Sequence, residues 1–421
     1  MSNEKLKEES LLPDGWQIKK LGDVCDLQNG FAFKSKSYVE FSNTLNIRMS
    51  NIRPDGSFNP EHNIRFLPDM FALKHEQFLL NEGDLIIAMT DMAGDPKILG
   101  LPTIVKNLND RNFLLNQRVG KLIDFCDEIH IPYLKYYLGS PVVKDYYKSK
   151  GAGGLQLNIS KKDILTASIP VPPLAEQERI VGILDEACEA IDKAKENAEQ
   201  NLKNAKELFQ SKLQSIFDEG KSKVQTGEWQ EKTLGEITDV EYGYTDKSSE
   251  DGDYRYIRIT DIDKNGELIL ETKKYINDSS QAQHFLLKDN DLLMARTGAT
   301  FAKVLLYKAY EPSVFASYLI RINFKEEIEN ELYWYFTKTD SYWKQANSLS
   351  SGAAQPHFNG AALKQVVFLY PKSVRKQQIL IESFKLISSE TKKLELIYQY
   401  KLDNLQELRN SILQKAFNGE L

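Results

Sequence analysis

The chain has 421 residues, of which 41% are hydrophobic and 27% charged, and a net charge of −6. These values predict two or three ordinary globular domains and exclude disordered or fibrous classes. No apolar run approaches the ~18 residues of a membrane span, the polar start MSNEKLKEES lacks the apolar core of a signal peptide, and Cys25, Cys126, Cys188 and five scattered histidines show no disulfide or zinc spacing.

The expectation is a metal-free cytoplasmic protein. Its acidity is uneven: the Lys+Arg minus Asp+Glu balance is 0 for residues 1–175, −5 for 176–219, −3 for 220–374 and +2 for 375–421. A polyanion partner is therefore not excluded by net charge, because binding depends on local basic surface.

Taken in chain order, residues 1–172 carry short β-type runs such as DLIIAM between Gly, Asn, Asp and Pro, and a helical patch IPYLKYYLGSPVVKDYY. GAGGLQ (151–156) precedes the last strand of this segment. PPLAEQERIVGILDE follows; Pro172-Pro173 ends that strand and launches a helix. Ile180, Leu184, Ala187, Ile191, Ala194, Ala198, Leu202, Ala205 and Leu208 then recur at steps of three or four, an apolar stripe over residues 173–219. A second mixed segment, 220–371, contains YRYIRIT, KVLLY and ASYLIRINF. A second helix, 372–421, repeats the stripe with Phe384, Ile387, Thr391, Leu394, Tyr398, Leu402, Leu405, Leu408 and Ile412.

The chain repeats itself. GWQIKKLGDVCDLQNG (15–30) matches EWQEKTLGEITDVEYG (228–243), EGDLIIAMT (82–90) matches DNDLLMART (289–297), GAGGLQLNIS (151–160) lies over SSGAAQPHFN (350–359), and SKLQSIF (211–217) echoes SILQKAF (411–417). The expected fold is mixed α/β (α+β): two repeated globular domains separated and joined by two long helices. Each helix spans about 40 residues, or roughly 60 Å. Neither buries its stripe alone, so the two are expected to pair as an antiparallel coiled coil.

PPLAEQERIVGILDE, SKLQSIF and the terminal LQKAFNGEL, with two divergent globular segments between them, resemble the specificity subunit of Type I restriction-modification enzymes across essentially the whole chain. The second copy departs from the marker: where Glu176-Gln177-Glu178-Arg179-Ile180 stands, it has Arg375-Lys376-Gln377-Gln378-Ile379. The resemblance implies two target recognition domains, each reading a half-site of double-stranded DNA, with the helices as spacer. It also implies two methyltransferase subunits carrying S-adenosylmethionine, restriction and translocase subunits joining them, and no catalysis by this chain.

Base readout needs Arg or Lys toward guanine and Asn or Gln toward adenine, with further groups on phosphates. The DNA-binding candidates in the first segment are Asn29, Phe31, Lys34, Asn46, Arg48, Asn51, Arg53, Thr90, Asp91, Lys97, Gln117 and Arg118. In the second they are Tyr244, Thr245, Lys247, Arg258, Thr260, Asp261, Arg296, Thr297, Thr300, Ser317 and Tyr318. The Gly-rich stretches GAGGLQ and SSGAAQ (350–355) are either phosphate-approaching loops or plain connections. The aromatic stretches YLKYYL and YWYF have helical spacing and are expected in the core.

Enzyme signatures fail on inspection. EGKS (219–222) has Ser215 where a phosphate-binding loop needs glycine, and no Gly-x-Gly-x-x-Gly or Asn-Pro-Pro-aromatic motif of a methyltransferase is present. Pro68-Asp69 with Asp95-x-Lys97 fits a loose nuclease pattern that the second copy lacks. The alternative from another class is a coiled-coil protein–protein adaptor without DNA specificity. If the helices act as a ruler, deleting about one heptad from both changes the permitted spacer and leaves the half-sites alone. Methylation mapping checks this; an altered half-site with an unchanged spacer sinks the ruler.

Overall fold

The computed structural model describes residues 13–263, 265–351 and 357–421. The chain divides into two compact units, one running to Asn197 and including Lys401–Leu421, the other Ala198–Tyr400.

In the first unit the strands Asp26–Asn29, Val119–Ile123, Leu85–Ala88 and Pro102–Ile104 form an antiparallel sheet in that order. A second sheet orders Phe66–Leu67, Thr44–Ile47, Asn112–Leu115 and Leu79–Leu80, with a parallel central pair. The run Leu85-Ile86-Ile87-Ala88 is apolar throughout because both of its faces are covered. Leu85 and Ile87 pack with the helices Ile131–Leu138 and Pro141–Lys150, whereas Ile86 and Ala88 pack with Leu45, Ile47, Phe113 and Leu115 of the second sheet.

The second unit repeats the plan. Its antiparallel sheet orders Thr238–Tyr242, Leu319–Phe324, Leu292–Ala295 and Val304–Leu306, and its other sheet orders Tyr275–Ile276, Tyr254–Ile257 and Ser313–Phe315. Leu292 and Met294 face one core, Leu293 and Ala295 the other. The aromatic stretches are core, as their spacing predicts: Tyr133, Tyr147, Tyr333 and Tyr342 are wholly buried.

The long helices are Leu174–Gln225 and Val374–Asn418, 52 and 45 residues. Both exceed the sequence estimate of about 40. The first continues through EGKS, which is therefore helix and not a phosphate loop. Gly220 survives there because Trp229 packs where a Cβ would sit; Gly419, with φ +75°, has Pro13 and Trp16 in the same position.

The stripes hold over Ile180, Leu184, Ile191, Ala198 and Ala205, and then slip. Leu208 and Leu408 are exposed, while Phe209 packs against the core and Leu213, Phe217, Leu413 and Phe417 are buried. A straight helix of 3.6 residues per turn drifts against a seven-residue repeat, so the buried position moves on by one.

Within each unit the helix segments run antiparallel. In the first, Arg179 Nη2 donates to the Leu421 carbonyl (2.8 Å) and Arg409 pairs with Asp192 (2.7 Å). Phe417 meets Tyr133 and Tyr137 edge-on. In the second unit Phe217 stacks on Phe384 at 6.0 Å.

A buried glutamine ties each helix start to its domain. Gln177 accepts from His130 N (2.9 Å) and donates to the carbonyls of Glu128 and Pro172 (both 2.8 Å). Gln377 accepts from Glu329 N (2.9 Å) and donates to Glu327 O and Pro371 O (3.2 and 3.0 Å). The copies thus align one residue later than the sequence comparison placed them. The glutamine is kept, Lys376 replaces Glu176, and exposed Ile379 replaces Arg179.

Changing Gln177 to Leu strands one buried and two part-buried backbone groups and is expected to cost about 3 kcal/mol. Thermal unfolding and hydrogen exchange over residues 128–138 check this; an unchanged melting temperature overturns it.

Candidate nucleic-acid interface

Four strands of the first unit end around the loop Asn116-Gln117-Arg118, which is held through its peptide groups. Asn116 N donates to Ile47 O (3.0 Å), Gln117 N donates to Phe31 O (3.0 Å), and Arg118 O accepts from Met89 N (2.9 Å). Gly30 completes the knot: a Cβ there would overlap the Asn116 carbonyl.

The second unit forms the same frame around Ala316-Ser317-Tyr318. Ala316 N donates to Ile257 O (2.8 Å), Tyr244 N to Phe315 O (2.9 Å) and Arg296 N to Tyr318 O (3.0 Å). Gly243 sits as closely against Ala316 as Gly30 does against Asn116.

On this frame the side chains differ. Position by position, Asn29 corresponds to Tyr242, Phe31 to Tyr244, Met89 to Arg296, Asp91 to Gly298, Gln117 to Ser317 and Arg118 to Tyr318. In the first unit Asn29, Phe31, Gln117 and Arg118 are exposed, and Arg48 is half-buried. Phe31 leans on Phe33, His75 and Phe78 with centroids 4.4–5.4 Å apart. Burial, with Lys74 nearby, pushes the His75 imidazole below its ordinary range. In the second unit Tyr318 is exposed, while Tyr244 and Ser317 are half-buried. Arg296 lies 4.8 Å over the Tyr242 ring and donates to Ser317 O (3.1 Å).

Several candidates lie inside the fold. Asn51 is buried; its Oδ1 accepts from Arg48 N (2.8 Å) and its Nδ2 donates to the carbonyls of Asn59 and His62. Asp91 is buried under the amides of Met92, Ile98 and Leu99, at 2.7, 2.5 and 3.2 Å. Asp261 is buried and holds Arg258. Asn46, 2% exposed, donates to Tyr38 Oη. Thr90 donates to Asn158 Oδ1 (2.7 Å), and Thr297 is buried beside His357. Short polar side chains after a strand bind local backbone in this way, so these residues shape the surface from below.

Arg53 sits in the hairpin Ile52–Phe58, whose tip borders a cavity of about 680 Å³ shared with Asp185, Glu189 and Arg409 of the helices. Lys97 pairs with Asp95 (3.1 Å). Lys34, Thr245 and Lys247 are exposed on loops, Thr260 is exposed in the 3-10 turn Ile259–Asp261, and Thr300 donates to Ile259 O. Asp69 of the loose nuclease pattern accepts from Asn43 N and Thr44 Oγ1. Among the described residues no His, Cys, Asp and Glu group is arranged to hold a metal.

In the first glycine-rich stretch, Gln156–Asn158 pairs with Thr90–Met92, and Leu155 at its tip is 87% exposed. Of the second stretch, residues 352–355 lie outside the described residues. Sequence reasoning missed Arg65, Tyr242 and Asn158, which reach the frame only through strand pairing.

Residues 13–203 and 226–399 match the family model for the Type I restriction modification DNA specificity domain. The chain belongs to that family. It is similar to the Type I restriction enzyme StySPI specificity subunit of Salmonella potsdam, 23% identical over 97% of this chain and 90% of that protein. It is also similar to the EcoKI specificity subunit of Escherichia coli K12, 24% identical over the same shares. Among solved structures, a chain studied for complex assembly and conformational transition of the type I R-M system aligns with TM-score 0.73. Its identity is 18%, over 97% of this chain and 99% of that one. The HsdS subunit of Thermoanaerobacter tengcongensis aligns with TM-score 0.56 and 18% identity, over 97% and 98%. No described helix is long and apolar enough to cross a membrane.

Each specificity domain thus carries the same backbone frame under different exposed side chains. Replacing Asp91 by Ala leaves the buried amides of Ile98 and Leu99 and the part-buried amide of Met92 unpaired, and is expected to cost about 3 kcal/mol without altering recognition. Urea unfolding and a recognition assay at low temperature check this; an altered target at unchanged stability contradicts the internal role.

Proposed function

We propose that this chain is the non-catalytic, cytoplasmic specificity subunit of a Type I system. It reads a bipartite, asymmetric target in double-stranded DNA, one half-site per unit. It recruits two methyltransferase subunits, whose S-adenosylmethionine supplies the methyl group for adenine, and restriction subunits that cut unmodified DNA. The observation that carries this reading is the pair of loops 116–118 and 316–318. One hydrogen-bond frame, anchored at buried Asn116 or Ala316, presents Gln117-Arg118 in one unit and Ser317-Tyr318 in the other, as two readers of different sequences require. Gln117 is suited to an adenine edge.

The test is co-expression with the cognate methyltransferase subunit in a methylation-free host, followed by single-molecule mapping of methyl-adenine. A split motif with a fixed gap is expected. Gln117→Ala then relaxes one half-site only, and Tyr318→Ala the other, each by about 1–3 kcal/mol of discrimination. Unmethylated DNA from a verified, assembled complex overturns the reading in favour of a protein adaptor.

A further inference from the structure

Arg48 and Arg258 occupy the same place in the two frames, just past the strands Thr44–Ile47 and Tyr254–Ile257. Each backbone N–H donates to the side chain three residues on, Asn51 or Asp261, at 2.8 Å. Beyond that the two sites part.

Asp261 also takes the Arg258 guanidinium, Nη2 to Oδ1 at 2.7 Å and Nε to Oδ2 at 3.1 Å. Asn51 is neutral, and its amide is committed to backbone carbonyls. Arg48 is left with the Asn63 carbonyl at 3.1 Å, and its Nε is buried without a partner. Burial, reinforced by the charges of Arg65 and Arg118, holds the Arg48 guanidinium below its ordinary range, against a smaller opposing effect of Tyr38.

Among the described residues no carboxylate pairs with Arg48, Arg65 or Arg118. Three neighbouring guanidiniums, one of them half-buried, form an arrangement that an external anion stabilises. Among its described residues the second unit carries no such cluster. Lys274, whose carbonyl takes the place of that of Arg65 in the sheet, pairs with Glu250. Tyr318 replaces Arg118, and Arg296 is held by the Tyr242 ring and Ser317 O.

We propose that Arg48, Arg65 and Arg118 form a phosphate-binding face for the DNA backbone on the first unit, and that Asp261 withholds Arg258 from that role in the second. The first unit then supplies most of the salt-sensitive hold and the second reads with little of it. This rests on the DNA-reading function proposed above.

The experiment uses the full chain assembled with its methyltransferase subunit, and follows binding against salt on a duplex carrying the mapped target and on a random duplex. Arg65→Ser and Arg118→Ser are exposed changes. Each is expected to flatten the slope of log K against log salt by about 0.9, on both duplexes alike. Lys274→Ser leaves the slope unchanged. Asp261→Asn, which copies the first unit's pairing, steepens it by about 0.9.

An equal flattening by Lys274→Ser, or no flattening by either exposed arginine variant, overturns the asymmetry. If Asp261→Asn fails to assemble, the exposed variants still decide. Failure of the unsubstituted complex to bind either duplex overturns the DNA reading itself and is distinguished by that control.

Discussion

Each unit depends on an aromatic ring delivered by the C-terminal end of a long helix. Phe417 enters the core of the first unit against Tyr133 and Tyr137, and Phe217 enters the second against Phe336 and Phe384. An α/β unit of this kind leaves one sheet face to be covered, and a helix with an apolar stripe has nothing of its own to bury it against. Each lack answers the other. The small side chains at Ala198 and Ala205 then allow close helix packing, while the bulky ones cluster where the helix meets the sheet.

The architecture was legible where the signal is periodic or repeated. The internal duplication and the apolar stripes announced two α/β units and two long helices paired as an antiparallel coiled coil. The detail was lost where geometry accumulates along the chain. Leu208 and Leu408 look like stripe members by counting, but the drift of the helix turns them outward and brings Phe209 against the core. Likewise Gln377 looked displaced from its counterpart until its three hydrogen bonds fixed the register.

The candidate interface was legible in composition and not in arrangement. Gln117, Arg118 and Tyr318 were selected for their chemistry, and all three are exposed on the central loops. Asn51, Asp91 and Asp261 were selected on the same grounds but serve their own backbone. An amide or carboxylate just after a strand is equally suited to a base edge and to an unpaired N–H, and the choice is made by neighbours distant in sequence. Arg65 escaped notice for the converse reason: it reaches the frame across a strand pairing that no local pattern reveals.

The loop 116–118 is secured through its peptide groups and the buried Asn116 side chain, whose Oδ1 accepts from Arg118 N, so the side chains of Gln117 and Arg118 are relieved of structural duty. Natural variation then meets a short list of prohibitions. Proline at 116 or 117 removes a donor that the frame needs, and any Cβ at position 30 collides with the loop. Nearly every other letter is compatible with the fold at positions 117 and 118. Such a surface can diversify by point mutation without first passing through an unfolded ancestor.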